Sequence, residues 1–410
     1  MPVLRPSGSD FTSFVKAAAQ YVAPGRTAKV SKSGGVPVAL PGLGAIVRAS
    51  QVGALASPTT SAVVINGVTP PATATAVAVV IRVLLGIVTT LAGSGSPSFA
   101  DGTGTGASFR YPSDAAVLPD GNIVVAASHD HRIRLLTPAG VVTTLAGSAQ
   151  GFANGTGTGA SFNFPSGVAV IPSTNVIVVA DQGNHRIRLV TYPGGIVTTL
   201  AGSGSQTFAD GTGTGASFFN PNAVAVLPDG NLVVPDYGNN RIRLVTYPGG
   251  VVTTLAGSGS QTFADGTGTG ASFNNPVGAA VLPDGNIVVA DFGNHRIRRV
   301  TYPGGVVTTI AGSGSPGLVN GTGTGASFAD PIRVAVTSSG DIVVSDRGNA
   351  RVRLVTYPGG VVTTLAGGGA GSADGTGAAA GFNSPTGLAM TSSGTIVLVE
   401  QDGCRIRLIT

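Results

Sequence analysis

The chain has 410 residues, enough for one large or two ordinary domains, and only 10% of them are charged. Its 64 glycines favour many turns over long helices, and its single cysteine, Cys404, excludes an internal disulfide framework. The net charge of +5 comes from the first 80 residues, where six basic residues accompany only one acid, Asp10, so the rest of the chain is close to neutral.

The N-terminal segment begins with a predicted short helix over residues 10–23. Asp10 can cap its start, Phe11, Phe14 and Val15 fall near helical spacing, and Pro24 ends it. A helix this short is not stable alone in water, so its apolar face requires a partner. We therefore predict that residues 1–80 form a basic attachment arm. Its predicted contact residues are Phe11, Phe14, Val15, Lys16, Lys29 and Lys32.

The remainder of the arm predicts strands and turns. Asn66-Gly67 lies between two apolar runs, which is a hairpin signal. The most apolar run, residues 72–85, is interrupted by Arg82 and is too short to cross a membrane, so we predict a strand there. The first ten residues contain no apolar stretch typical of a signal peptide. We expect a location in the cytoplasm or in an assembled particle.

From about residue 81 the chain repeats itself. A heptapeptide such as residues 251–257, with the sequence Val-Val-Thr-Thr-Leu-Ala-Gly, recurs six times at spacings of 54 or 55 residues. Each unit carries four β-rich runs, which are residues 277–282, 286–291, 296–301 and 306–311 in one copy, separated by turn sequences. This pattern predicts an all-β fold, a six-bladed β-propeller of four-stranded blades, over residues 81–410.

The ends of the repeat region predict how the ring closes. The sixth Arg-x-Arg strand begins at Arg405 and the chain stops at Thr410, so the last unit lacks its fourth strand. A spare copy of that strand, residues 86–92, precedes the first full unit. We predict that this N-terminal strand pairs with the C-terminal blade and leaves no unpaired edge there.

Three linked motifs resemble the NHL repeat family. They are Asn-Ile-Val-Val-Ala-Asp-x-Gly-Asn-His-Arg-Ile-Arg, Val-Thr-Thr-Leu-Ala-Gly and Asp-Gly-x-Gly-x-x-Ala-x-Phe-x-x-Pro, and they recur in register over about 325 residues. The resemblance implies a six-bladed propeller. It also admits metal-dependent lyase chemistry, which is known for such propellers. Some relatives bind RNA through a basic propeller face, but here an equal number of acids matches the arginines and stacking aromatic residues are sparse, so we do not expect the propeller to bind nucleic acid. Residues 1–80 fall outside the resemblance.

A recurring Asp precedes Gly-Asn, and an Arg follows it five residues later. A ring of acids could serve a metal or a catalyst, but the same residues can also cap a tight turn and pair with the nearby Arg in every blade. We favour the structural interpretation because the first copy has Ala127 and the last has Glu400 at the Asp position. The structural residues are Asp181, Asp236, Asp291, Asp346, Arg186, Arg241, Arg296 and Arg351.

The histidines are weak candidates for a metal site. His131, His185 and His295 occupy one repeat position, which holds Asn240, Ala350 and Cys404 in the other copies, and His129 lies beside His131. Equivalent positions on blades 1, 2 and 4 lie far apart around a ring, whereas zinc requires several ligands to converge. We therefore predict no metal, cofactor or catalytic residue.

The loop Gly-Thr-Gly-Thr-Gly resembles a phosphate-binding loop but lacks the P-loop Lys and precedes no helix. We interpret it as a connection from an outer strand to the inner strand of the next blade. A Phe that follows each loop is predicted to wedge between blades. These residues are Phe109, Phe162, Phe218, Phe273, Phe328 and Phe382.

The similarity of the blades favours a non-enzymatic role. An active site at the axis requires different residues on different blades, and these units are nearly copies. Our leading hypothesis is a structural or protein-interaction propeller anchored through its arm in a larger assembly, such as a virion or surface structure. The alternatives are a lyase- or lactonase-type enzyme with a metal at the channel, and nucleic-acid binding through the basic arm.

Overall fold

The computed structural model describes residues 86–410 throughout, together with four short backbone segments nearer the N-terminus. Those segments are β1 (Lys29–Ser31), β2 (Ile46–Arg48), β3 (Ser50–Gln51) and β4 (Val79–Val80). Strands β1 and β2 pair in parallel and β3 and β4 pair antiparallel. The predicted helix over residues 10–23, the hairpin over 61–69 and the contact residues Phe11, Phe14, Val15, Lys16 and Lys32 lie outside the described residues. The chain divides into Met1–Leu84 and Leu85–Thr410.

Residues 86–410 form a six-bladed β-propeller, as predicted. Each blade is one antiparallel sheet whose strands follow one another outward from the central axis. The inner strand begins at a Pro in five blades, and in blade 3 Pro221 forms an isolated bridge to Asp236 ahead of a shorter inner strand. The inner, second, third and outer strands of the first three blades are β7 (Pro112–Val117), β8 (Ile123–Ala127), β9 (Arg132–Leu136) and β10 (Val141–Ala146); β12 (Pro165–Ile171), β13 (Val176–Asp181), β14 (Arg186–Val190) and β15 (Ile196–Ala201); β17 (Ala225–Val226), β18 (Leu232–Asp236), β19 (Arg241–Val245) and β20 (Val251–Ala256).

The second half of the ring repeats this order, and its last blade takes its outer strand from the other end of the propeller. The corresponding strands are β22 (Pro276–Val281), β23 (Ile287–Asp291), β24 (Arg296–Val300) and β25 (Val306–Ala311); β27 (Pro331–Val336), β28 (Ile342–Asp346), β29 (Arg351–Val355) and β30 (Val361–Ala366); β32 (Pro385–Met390), β33 (Ile396–Glu400), β34 (Arg405–Ile409) and β5 (Ile87–Ala92).

The ring closes as predicted, because β5 pairs antiparallel with β34. Ile409 lies opposite Val88 and Leu408 opposite Thr89. Hydrogen bonds between the backbones of Ile87 and Thr410 extend the ladder to the last residue.

The prediction of four strands per blade was one strand short. A two-residue Gly-Thr strand pairs with the first two residues of each outer strand and makes every sheet five-stranded. It protects the outer edge and uses only backbone hydrogen bonds, so Gly-Thr carries no apolar signal for it. These strands are β6 (Gly102–Thr103), β11 (Gly155–Thr156), β16 (Gly211–Thr212), β21 (Gly266–Thr267), β26 (Gly321–Thr322) and β31 (Gly375–Thr376).

The helices in residues 86–410 are single 3-10 turns of three residues. One kind lies in each Gly/Thr-rich loop, and a second kind joins the second and third strands of blades 1–5. The first kind spans Gly104–Gly106, Gly157–Gly159, Gly213–Gly215, Gly268–Gly270, Gly323–Gly325 and Gly377–Ala379. The second kind spans Ser128–Asp130, Gln182–Asn184, Tyr237–Asn239, Phe292–Asn294 and Arg347–Asn349. Within the described part of the chain no helix has the length and apolar character needed to cross a membrane.

The core lies between neighbouring blades. Phe162, for example, is fully buried among Val124 and Ala126 of blade 1 and Val179 and Ile177 of blade 2. The other Phe residues that follow the Gly/Thr loops are also fully buried. Each aromatic side chain removes a large apolar area from water, so these contacts hold the blades side by side.

The propeller has two distinct faces. We call the face that carries the Pro that begins or precedes each inner strand, the second set of 3-10 turns and the start of each third strand the upper face. The lower face carries the turns between inner and second strands, such as Pro119-Asp120-Gly121, and the Tyr-Pro-Gly-Gly turns.

Candidate functional site at the central channel

The second residue after the Pro of each repeat is Gly in three blades and a different residue in each of the other three. Blades 2, 4 and 6 have Gly there, and a Cβ on Gly167 would lie 2.6 Å from the Cα of Ala223 on the next inner strand. Glycine is therefore required where these backbones approach each other. The residues at this position, in blade order, are Asp114, Gly167, Ala223, Gly278, Arg333 and Gly387.

Arg333 of blade 5 extends across the axis to three other blades. Its Nε lies 3.3 Å from Oδ2 of Asp114 in blade 1. Its Nη1 donates to Oδ1 of Asn222 in blade 3 at 2.7 Å, and its Nη2 donates to the carbonyl oxygen of Ser166 in blade 2 at 2.8 Å. Both charged side chains are buried, and burial raises the pKa of the Asp114 carboxyl, an effect that Arg333 opposes. The pair closes the channel with no net charge.

Above this pair lies a cavity of about 80 Å³ at the channel mouth. Most of its lining groups are hydroxyls and amides, so it offers hydrogen bonds rather than charge. The lining residues are Ser113, Ser128, Ser166, Gln182, Asn222, Ile332, Arg333, Thr386 and Gln401. A space of this size accommodates a few water molecules or one small side chain.

The recurring Asp residues are bound in buried ion pairs. Oδ2 of Asp236 accepts a hydrogen bond from Nη1 of Arg243 at 2.7 Å, and both side chains are fully buried. Asp181, Asp291 and Asp346 pair in the same way with the Arg seven residues later. The sequence had indicated the Arg five residues later as the partner, and the structure corrects this.

Two blades keep the ion pair with other residues. In blade 1 the position of Asp holds Ala127, and Asp130, which replaces an Asn, lies 3.7 Å from Nη1 of Arg134. In blade 6 Glu400 lies 3.0 Å from Nη1 of Arg407. A carboxylate thus accompanies the buried Arg in every blade, which a buried guanidinium requires.

The buried Arg residues also hold the Gly/Thr-rich loops. Nη2 of Arg243 donates to Oδ1 of Asp210 at 2.6 Å and to the carbonyl oxygen of Ala209 at 2.8 Å. Asn154 and Asn320 take the place of this Asp in blades 2 and 5. The residue that opens each loop therefore fixes the loop to the blade.

The three repeat-position histidines link neighbouring blades. Nδ1 of His185 accepts a hydrogen bond from the backbone N–H of Asn220 in the next blade at 3.1 Å. His131 and His295 do the same, and Oδ1 of Asn240 makes the equivalent bond in blade 3. Burial lowers the pKa of His131 and of His185. Within residues 86–410 no group of three or more His, Cys, Asp or Glu residues converges as metal ligands would.

The seam between blades 1 and 2 carries a cluster of four aromatic rings, whereas the seam between blades 2 and 3 has a single ring pair. His129 replaces the Gly of blades 2–5, and its ring centroid lies 4.8 Å from that of Tyr111 and 4.9 Å from that of Phe164. Tyr111 and Phe164 have φ values of 47° and 49°, in a region that bulky residues rarely adopt. The repeats place Asn, Asn, Asp and Ser at the equivalent positions of the other blades.

Sequence reasoning missed the residues that break the symmetry. Asp114, Asn222 and Arg333 meet at the axis although they lie more than a hundred residues apart. The signal for Asp114 and Arg333 was a departure from Gly at the second residue after the Pro of each repeat. Asn222 is the first residue after its Pro, a position that varies among the six repeats and carries no such signal.

The NHL repeat model matches four segments of the chain, residues 109–134, 162–188, 273–300 and 328–353. Each segment begins at the interblade Phe and ends in the third strand, so it covers the inner half of a blade. The NHL repeats recognised from the sequence are therefore confirmed, and the matched segments lie within the blades of the six-bladed β-propeller.

One plant protein and one animal protein are similar to this chain in sequence. Protein SUPPRESSOR OF QUENCHING 1, chloroplastic, of Arabidopsis thaliana is 28% identical over 278 residues, which are 64% of this chain and 26% of that protein. NHL repeat-containing protein 2 of Gallus gallus is 27% identical over 326 residues, which are 70% of this chain and 45% of that protein. The match thus spans less than half of the length of either relative.

Two solved structures share the fold at low sequence identity. A structural genomics protein of unknown function from Bacteroides thetaiotaomicron has a TM-score of 0.63 at 22% identity, covering 78% of this chain and 75% of that one. A gluconolactonase from Xanthomonas campestris has a TM-score of 0.51 at 13% identity, covering 74% and 86%. At these identities the likeness extends to the fold alone.

Proposed function

We propose that this chain, a six-bladed propeller carrying NHL repeats, is a non-enzymatic protein-interaction module that docks a partner on its upper face. One observation carries the proposal. The Arg333–Asp114 pair closes the axis and leaves a mouth cavity of about 80 Å³, whereas small-molecule sites usually occupy roughly 300–1,000 Å³. A shallow polar mouth suits a partner surface that lies across the face.

The buried charges support the same conclusion. A catalytic acid or base needs a carboxylate or imidazole that can reach a substrate. The recurring carboxylates are engaged by buried Arg residues, and Nδ1 of the repeat-position His in blades 1, 2 and 4 accepts a backbone hydrogen bond. The chemistry of these groups is directed at holding blades and loops together.

Crosslinking from the two faces tests the docking proposal. A photoreactive residue replaces Gln182 on the upper face or Thr174 on the lower face, and the full chain is irradiated in the cells that produce it. We expect protein adducts from position 182 and few from position 174. Equal yields from both positions, or none from position 182, would contradict docking on the upper face.

The arm extends the proposal on sequence grounds. Residues 1–80 carry the net charge of +5, and we propose that they hold the propeller in a larger assembly. The ring begins at β5, so a chain of residues 81–410 retains every strand of the propeller. We expect the full chain to form oligomers in solution and residues 81–410 to be monomeric by light scattering. The same number of protomers per particle in both forms would refute the role of the arm.

The alternative function is an enzyme of the lactonase or lyase type. The fold is its support, since a gluconolactonase shares the propeller architecture. Stoichiometric metal in the purified chain together with hydrolysis of a sugar lactone would establish it and overturn the non-enzymatic proposal.

A further inference from the structure

The propeller is nearly neutral, but its surface charges are unevenly distributed between the two faces. The upper face carries Asp330 and Asp402 as its acids against a larger set of arginines. These arginines are Arg110, Arg132, Arg186, Arg241, Arg296, Arg347, Arg351 and Arg405. The lower face carries exposed Asp120, Asp229 and Asp284 with Arg299. The net charge calculated from the sequence does not show this difference between the faces, because the buried ion pairs and the Asp residues of the loops also contribute to it.

The upper-face arginines lack acidic partners in the described structure. Nη1 of Arg186 donates to the carbonyl oxygen of Asn184 at 3.0 Å and Nη2 to that of Ser203 at 2.7 Å. Arg241 and Arg296 bind the equivalent carbonyl oxygens. Within residues 86–410 no carboxylate lies at ion-pair distance from any of the eight arginines. Backbone carbonyl oxygens hold five of these guanidinium groups in place, and within the described propeller no carboxylate forms a direct ion pair with any of the eight. The five are Arg132, Arg186, Arg241, Arg296 and Arg351.

Four of these guanidinium groups each lie against the exposed ring of a different Phe. Phe152, Phe208 and Phe263 lie with their ring centroids 3.8–3.9 Å from Cζ of the first Arg of blades 2, 3 and 4, and Phe99 lies 4.2 Å from Arg132. The four Phe residues are 40–46% exposed, so each ring has one side on a cation and another in solvent. Blades 5 and 6 have Leu318 and Ser372 at this position.

We propose that the upper face binds an acidic segment of a partner protein in which acidic and apolar side chains alternate, with its anchor on blades 1–4. This inference rests on the proposed docking function and adds the chemistry of the partner. Guanidinium groups bind carboxylates with directional, charge-assisted hydrogen bonds. The exposed Phe rings supply apolar contacts beside each cation.

The surroundings of these groups favour a polypeptide. The mouth between the blades offers hydroxyl and amide groups, which match the donors and acceptors of a peptide backbone. The acids on the lower face repel the same segment, so the charge distribution selects the face as well as the partner. A single-stranded RNA is the competing anionic ligand, and the experiment separates the two.

The test measures binding of labelled probes to the full chain by fluorescence anisotropy. The probes are a peptide of alternating Glu and Leu, the same peptide with Gln for Glu, and an oligouridylate of equal length. We expect the Glu peptide to bind at least about tenfold more tightly than the Gln peptide, and its affinity to fall with added salt. Equal affinity for both peptides would show that the negative charges of the peptide do not contribute to binding.

Charge reversal on the two faces provides the matched variants. Arg110→Glu changes the upper face on blade 1, where this exposed side chain has no described ion pair, and Arg299→Glu makes the same change of charge on the lower face. We expect Arg110→Glu to weaken binding of the Glu peptide about tenfold and Arg299→Glu to change it less than about twofold. Equal losses for both would show that the face is not selected.

The aromatic contribution has its own variant. Phe208→Ala with Phe263→Ala is expected to weaken binding of the Glu peptide about tenfold, with an unchanged melting curve as the folding control. Tighter binding of the RNA than of the Glu peptide would overturn the assignment to an acidic polypeptide. Failure of the charge-dependent outcomes while adducts form at position 182 would leave the docking function intact and refute only this inference.

Discussion

The outer three strands of the blades make contacts that repeat from blade to blade, whereas the inner strands around the axis make contacts that occur once. In the outer part each blade repeats the same contacts, and even where Ala127 replaces the Asp a carboxylate returns from Asp130 three residues later. At the axis, Asp114 and Arg333 occur once each and bind each other across the ring. Repetition in this chain therefore marks what holds a blade together, and departure from repetition marks where the ring becomes asymmetric.

The largest expected effect removes a buried Arg from the repeated network. Arg243→Met leaves Asp236 buried without its cation and should lower the free energy of unfolding by about 3–5 kcal/mol. Arg241→Met, two residues away and partly exposed, should cost about 1 kcal/mol. Urea unfolding of both variants measures the difference. Equal losses would show that the two arginines are energetically equivalent despite their different burial.

A second variant copies blade 1 into blade 2. Asp181→Ala should destabilise the propeller by about 3 kcal/mol because Arg188 loses its buried carboxylate. Adding Asn184→Asp places a carboxylate where Asp130 lies in blade 1 and should restore about half of the loss. Unfolding free energies of the single and double variants measure the rescue, and no recovery would mean that the arrangement of blade 1 depends on its other residues.

The axial pair has a natural replacement, the Gly of the even-numbered blades. Arg333→Gly should cost about 2–3 kcal/mol because Asp114 remains beside the axis without its partner. The double variant with Asp114→Gly should be more stable than Arg333→Gly alone, since it removes the uncompensated charge. Thermal melting ranks the two variants. A less stable double variant would show that Asp114 contributes mainly through its other contacts, such as the N–H of Val168.

The smallest effect concerns the link between blades 2 and 3. Burial, and then the nearby Arg186, lowers the pKa of His185, so its contribution is complete above the ordinary value of about 6.5 and is lost as the pH falls below it. His185→Ala, which copies Ala350, should cost about 1 kcal/mol at neutral pH.

The matched control for this effect is His185→Asn, which copies Asn240. It can accept the same backbone hydrogen bond and should keep stability at neutral pH while removing part of the loss in acid. Unfolding free energies measured above and below the ordinary His pKa compare the three chains. An unchanged acid sensitivity in the Asn variant would assign that sensitivity to other groups.

The sequence predicted the architecture because repetition multiplies weak local signals. One run of Val and Thr residues is ambiguous, but six runs at a constant spacing with Pro-Asp-Gly and Tyr-Pro-Gly-Gly turns leave little choice of fold. The count of outer strands also predicted the closure by β5. The fifth strand was not predictable, since Gly-Thr forms it through backbone groups alone.

The candidate site was only partly predictable. Strand alternation places both residues of Arg241-Ile-Arg243 on one side, and the pattern contains nothing that tells the buried Arg from the half-exposed one. The contact of Arg333 with Asp114 depends on two inner strands meeting across the axis, which no local spacing encodes. The exposed Phe rings were missed because their Arg partners lie far along the chain.

The strand that completes the last blade has a consequence for folding kinetics. Val88 pairs with Ile409 across 320 intervening residues. In the unfolded chain the entropy of closing such a loop has a length-dependent term of about 5 kcal/mol, which disfavours this pairing until the blades between the two strands have formed. Blades 1 to 5 are each built from one continuous segment and can form while the protein is still being synthesised. Completion of the sixth blade is therefore expected to be the last and slowest step of assembly. Until that step, the outer side of β34 is an unprotected strand edge available to neighbouring chains.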